Sequence, residues 1–194
     1  MKKIKSIKYL VALSLLTLFS SCGYNGMVER QENVERSWSD VEVQYQRRAN
    51  LIDNLVETVK ANTQFEKETL VEIVEARAKA SSLNVKADQL TPENVEKYQE
   101  AQGQLSTALG RFLSITENYP DLKSNQAFVD LRAELAGTEN RVAQATRLFN
   151  ESVADYNSFI RSFPNNMTAG MFGFETKGYF KADEGAKNAP KVKF

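Results

Sequence analysis

Histidine is absent from the 194 residues, cysteine occurs once, at Cys22, and only four prolines and nine glycines interrupt the chain. Each scarcity excludes something. One thiol makes no disulfide within the chain, and without histidine it is too small a ligand set for zinc. The usual general base for a cysteine or serine nucleophile is missing. So is the Glu-x-x-His pair of di-metal carboxylate bundles. Neither sign of charge is in surplus, since 25 basic residues face 25 acidic ones, and no basic face offers itself to nucleic acid. Gly170-Met171-Phe172-Gly173 follows no strand and lacks the Lys-Ser or Lys-Thr ending of a phosphate cradle. The sequence asks for no cofactor and no metal, and we expect no enzyme.

What is present begins at the N-terminus. Lys2, Lys3, Lys5 and Lys8 precede an uncharged, mostly apolar run from Tyr9 to Phe19 that ends in Ser20-Ser21-Cys22. A spanning helix needs about 20 apolar residues, and this run is about half that. The arrangement is that of an export signal. A cysteine directly after small residues resembles the bacterial lipobox, with Phe19 in place of the more usual leucine. Cys22 is thus the expected lipidation site and the tether to the bilayer, with an ordinary signal peptide or an uncleaved signal anchor as alternatives. The expected parts are a signal at 1–21, a helical bundle at 22–163 and a Gly- and aromatic-rich tail at 164–194. Loss of the signal leaves 21 basic against 25 acidic residues. The chain belongs, on this reading, to the cell envelope, outside the cytoplasm. No second cysteine is available there, so packing must supply its stability.

From Val28 to Arg161 the apolar residues recur in steps of three and four. Val34, Trp38, Val41, Tyr45, Ile52, Leu55 and Val59 form one stripe, with Arg48, Asn62 and Glu66 as polar residues on its seam. Beyond Glu66 the stripe shifts phase to Leu70, Ile73 and Val74 before Arg77. We expect one long helix from about Met27 to Ser81. Thr91-Pro92-Glu93 reads as N-cap, proline in the first turn and a favourable acid. It opens a helix carrying Val95, Tyr98, Leu105, Leu109 and Phe112, with Gln102 interrupting the row. A third helix, about Asn125 to Ser162, carries the row Phe128, Leu131, Leu135, Val142, Ala145, Phe149, Tyr156, Phe159 and Phe163, and Pro164 closes it. The fold expected is all-α: an elongated up-down-up antiparallel bundle of three long helices, coiled-coil-like in its seams, with a short helix near Thr168–Phe172 and an irregular tail. The second helix is about half as long as the first, so a stalk, a partner chain or the tail must cover the remainder.

Several segments, in order, resemble the LemA family: Tyr24-Asn25, Trp38, Arg47 to Val56, Phe65-Glu66 with Ala76-Arg77, Glu117 to Lys123, Thr138 to Arg141, Phe149-Asn150, Tyr156-Asn157, and PNNMTAGMFGF followed by Tyr179-Phe180. Departures from the family pattern are Asp53 in place of proline, Thr146 in place of arginine and Phe149 in place of tyrosine. The resemblance covers essentially the whole mature chain. It implies an all-helical, membrane-tethered protein with its helices outside the cytoplasmic membrane, and it carries no established activity. The family's members are often encoded beside TPM-domain proteins or a membrane zinc metalloprotease, which implies an envelope protein partner.

Trp38 and the polar residues Arg48, Asn54, Glu66, Arg77, Glu117 and Glu139 are the candidates for fixing helix register or recognising a partner. Ion pairs between helices are usually architectural. Paired carboxylates in a seam without a pocket do not make a glycosidase. Met171, Phe172 and Phe174 in the tail either pack or meet a partner or the bilayer surface. Two functions stay open: a non-catalytic scaffold for other envelope proteins, and a structural protein that assembles with copies of itself.

Overall fold

The computed structural model describes residues 2–61 and 65–181, with side chains described from Gly23 onward. The side chain of Cys22 lies outside the described ones. The described residues form six α-helices, α1 (Lys2–Lys60), α2 (Lys67–Ser82), α3 (Pro92–Thr116), α4 (Pro120–Ser124), α5 (Gln126–Arg161) and α6 (Asn165–Phe172), with one 3-10 turn at Ala87–Gln89. The described residues contain no strand, and the all-α class is as expected.

The bundle has four long members rather than three. The helix expected to run unbroken to Ser81 ends at Lys60, and α2 folds back along it. Arg77 on α2 pairs with Asp53 on α1, and further back Trp38 Nε1 donates to the Val85 carbonyl at 3.0 Å. In turn α3 runs back along α2, pairing Arg111 with Glu72 at 2.9 Å and Lys79 with Gln104 at 2.8 Å. Finally α5 descends along α1, with Arg47 on Glu134 at 2.6 Å near the top and Arg30 on Asp155 at 3.0 Å near the bottom. The order is up-down-up-down. The reason for the reversal is burial: Leu55, Val59, Phe65 and Ile73 enter one core cluster, where a straight helix would carry its upper stripe into water. Phe65 anchors the return, its ring 5.7 Å from Phe112 and 5.0 Å from Tyr119. The phase slip beyond Glu66 is the trace of this hairpin.

Local signals set the other ends. Thr91 Oγ1 accepts from the Asn94 N–H and caps α3, with Pro92 in its first turn. Asn125 caps α5 through the Phe128 N–H at 3.2 Å. Gly173, at φ +74°, closes α6 in the left-handed region that favours glycine.

The lower part of α1 is covered by the same chain. Met27, Val34, Trp38 and Val41 are buried against Phe149, Val153, Tyr156 and Ile160 of α5, Ala169 of α6, and Phe180. After α6 the chain continues without regular structure through 174–181 and rises between α3 and α5. It is a strap, and it fills the place that a stalk or a partner chain would otherwise have to take.

Candidate functional site

Three features are available as functional sites. The first is a polar layer around Arg48. Two apolar clusters lie along the bundle, one around Trp38 and one around Phe112. Arg48, one of the largest fully buried side chains, falls between them at 2% exposure. Its Nη2 donates to Gln102 Oε1 at 2.6 Å and to the Gln102 carbonyl at 3.2 Å. Nη1 donates to Ser106 Oγ at 3.0 Å and reaches Glu139 Oε1 at 3.4 Å, while the guanidinium carbon lies 5.0 Å from the Tyr45 ring centre. Gln102, the residue that interrupts the apolar row of α3, is thus the main partner of the residue that interrupts the row of α1. A buried cation with this many acceptors specifies which helix faces which.

The second feature is the aromatic box around Trp38. Its ring lies 5.1 Å from Tyr98, 5.3 Å from Phe149 and 6.0 Å from Phe180, the last stacked at 23°. Side-chain amides hold the strap that delivers Phe180. Asn157 exchanges two bonds of 2.9 Å with the backbone of Lys177, Asn150 two of 2.9 Å with that of Phe180, and Gln99 bonds of 2.7 and 2.8 Å with that of Lys181. Gly178 donates its N–H to the Leu90 carbonyl at 2.9 Å. A β-carbon there would lie 2.7 Å from Pro92 Cα, so glycine is required by close approach. Beside the box, a cavity of about 220 Å³ is lined by Glu42, Tyr45, Ala49, Tyr98, Gln102 and Leu105 among others. Burial holds the Glu42 carboxyl above the usual glutamate value. It also raises the Tyr98 hydroxyl, an effect reinforced by Tyr45 and Glu42, so Tyr98 stays protonated at any ordinary pH. Among the described residues no three metal-ligating side chains converge.

The third feature is the surface of α6. Met167, Met171 and Phe172 stand in solvent, and so does Phe163 just before the element: expected on the apolar row of the third helix, it falls in the turn after α5 ends at Arg161 and leaves the core. Only the inner edge of the element touches the bundle, where Phe172 and Phe174 meet Tyr24 edge-on at 5.0 and 5.6 Å.

The remaining polar candidates do not join the Arg48 layer. Asn54 is exposed, its carbonyl accepting from Thr58 Oγ1 at 2.8 Å within its own helix. Glu66 is exposed at the start of α2, where its Oε2 accepts from Thr69 at 3.3 Å. Its seam position belonged to a helix that does not continue. Arg77 pairs with Asp53 and so staples the α1–α2 hairpin. Glu117 sits at the far corner of the bundle, with Lys123 at 2.8 Å and Arg132 at 2.7 Å. These two cations, Lys123 first, hold its carboxyl below the usual range. Of the six polar candidates only Arg48 and Glu139 meet each other. Gln99, Asn150, Asn157 and Phe180 were not singled out as a set, although Asn150 and Asn157 are one helical face apart in sequence and both stand in segments that carry the family resemblance.

The chain is 28% identical to magnetosome protein MamQ of Magnetospirillum gryphiswaldense over 197 residues, covering 90% of this chain and 72% of that protein. It is 27% identical to magnetosome protein MamQ 2 of Paramagnetospirillum magneticum over 176 residues, covering 81% of this chain and 64% of the relative. With protein LemA of Metamycoplasma hominis it shares 24% identity over 160 residues, covering 82% and 69% of the two chains. The LemA family profile matches residues 37–194, which take in the Arg48 layer, the Trp38 box, α6 and the strap, and the chain belongs to the LemA family.

Proposed function

We propose that the chain is a non-catalytic scaffold of the bacterial envelope, tethered through an acylated Cys22, that holds a partner protein at a fixed height above the bilayer. The observation that supports this is the unbroken course of α1 from beside Cys22 to Lys60. Between Gly23 and Lys60 the helix spans about 55 Å at 1.5 Å per residue. Its far end carries α2, on which Val71 and Val74 are exposed, Val71 in a shallow depression with Glu68, Glu72, Glu75 and Arg111. A small apolar ridge with charged flanks suits a protein surface. By family resemblance the partner would be a TPM-domain protein or a membrane metalloprotease.

In-cell photocrosslinking from positions 71 and 74 tests the reading. A recurrent envelope partner is the expected result. Crosslinks only between copies of the chain would replace the scaffold by the self-assembling reading. The tether has its own test: Cys22→Ala should release the folded chain from the membrane fraction, and retention of that variant would mean a signal anchor instead.

A further inference from the structure

The exposed apolar face of α6 lies at the tether end of the molecule. Asn165 abuts Gly23, close enough that its Oδ1 would stand 2.9 Å from a β-carbon added there. At the other end of the element, Phe172 and Phe174 pack on Tyr24. Both ends of α6 therefore meet α1 at consecutive residues, next to Cys22. Outward from these contacts stand Phe163 at 82% exposure, Met167 at 68%, Met171 at 79% and Phe172 at 58%. Positions 167 and 171 are spaced by four within α6 and share one face, and Phe163 stands in the turn that leads into it. From Ser162 to Phe174 no residue is charged, in a chain of which 26% is charged. Water is a poor home for such a surface. A lipid interface is a good one, since aromatic and methionine side chains partition into the headgroup boundary without needing charge.

We infer that the α6 face is an interfacial membrane-docking surface: Phe163, Met167, Met171 and Phe172 enter the headgroup region of the bilayer that holds the N-terminus. This rests on the tethering reading above, and it adds a second, non-covalent contact that fixes the tilt of the bundle. The absence of charge means that docking requires neither anionic lipid nor low salt. The test uses full-length protein purified from membranes and reconstituted into phosphatidylcholine vesicles with brominated or ordinary acyl chains. A reporter is introduced as Phe163→Trp or Met171→Trp, both at exposed positions, with Val71→Trp as the distal reference. Trp38, buried and about 21 Å along α1 from Tyr24, gives a constant background. The expected result is blue-shifted, bromine-quenched emission from positions 163 and 171 at both low and high salt, with none from position 71. Adding Met167→Asp should abolish the quenching at 163 without releasing the protein from the vesicles. Protein that floats with vesicles while position 163 stays as unquenched as position 71 would overturn the docking surface and leave the tether standing. Failure to float would overturn both.

Discussion

Replacing Phe180 by alanine removes the ring that closes the Trp38 box and leaves the strap's backbone bonds in place. The ring is buried, stacked on Trp38 at 6.0 Å and edge-on to Phe149 at 5.6 Å. Truncating a buried phenylalanine costs about 3–5 kcal/mol, depending on how far the surroundings collapse into the space. An extended strap relaxes more easily than a helix, so the lower end, about 3 kcal/mol, is expected. Asn150→Ala attacks the same strap by another route. It leaves the Phe180 N–H and C=O without their partner, at about 1 kcal/mol each. Because both changes loosen one element, the double variant should lose less than the sum. The assay is urea unfolding followed by tryptophan emission, and Trp38 is the chain's single tryptophan. Its emission should shift to the red in the folded Phe180→Ala protein. A stability loss below about 0.5 kcal/mol, the range of ordinary surface changes, together with unshifted emission, would refute the claim that the strap belongs to the core.

Three further predictions follow from the geometry. Arg48→Met should lower stability by about 1–3 kcal/mol through the acceptors it leaves on Gln102, whereas Glu139→Gln, on the exposed side of the same contact, should cost under about 1 kcal/mol in the same urea assay. Tyr156 is held in its neutral form by burial and then by Glu175, its pKa pushed up to about 12. The unfolded chain ionises first, so stability should be flat below pH about 10 and fall between about 10 and 12; an unchanged alkaline limb in Tyr156→Phe would count against that assignment. Glu117, whose carboxyl is depressed by Lys123 and Arg132, should stabilise the bundle above the ordinary glutamate pKa and lose that contribution as pH falls through its lower folded value. Thermal unfolding of Glu117→Gln from neutral pH downward, with a smaller acid-side loss than the parent, would check it.

Helix positions and faces were legible because their signals are local. The alternating three- and four-residue steps and the Thr91-Pro92 cap placed α3 and α5 within a few residues. The hairpin between α1 and α2 was harder. No glycine or proline stands between Met27 and Ser81, so nothing but the change of phase marks the turn. A phase change fits a relaxed supercoil as well as a reversal, and only tertiary burial of Phe65 decides between them. Arg48 could be read as a seam residue since its neighbours are strictly periodic. Glu66 could not be separated from it, because its assigned face depended on the helix continuing, while Asn54 lies within α1 on its exposed side. The strap was invisible for a different reason. Its partners are backbone groups, which leave no pattern in sequence, and the amides that bind them stand on helices whose apolar rows dominate the reading.

That mode of holding has a consequence for tolerance to change. Gln99, Asn150 and Asn157 grip main-chain atoms, so the identity of most residues they hold is immaterial to the grip. A saturation library across 175–181 should therefore show a permissive run broken at two places. Gly178 admits no side chain against Pro92, and Phe180 supplies the only ring in that run which enters the Trp38 box. The surface of the strap is then free to diversify in step with whatever the bundle faces, while its path over the bundle stays the same.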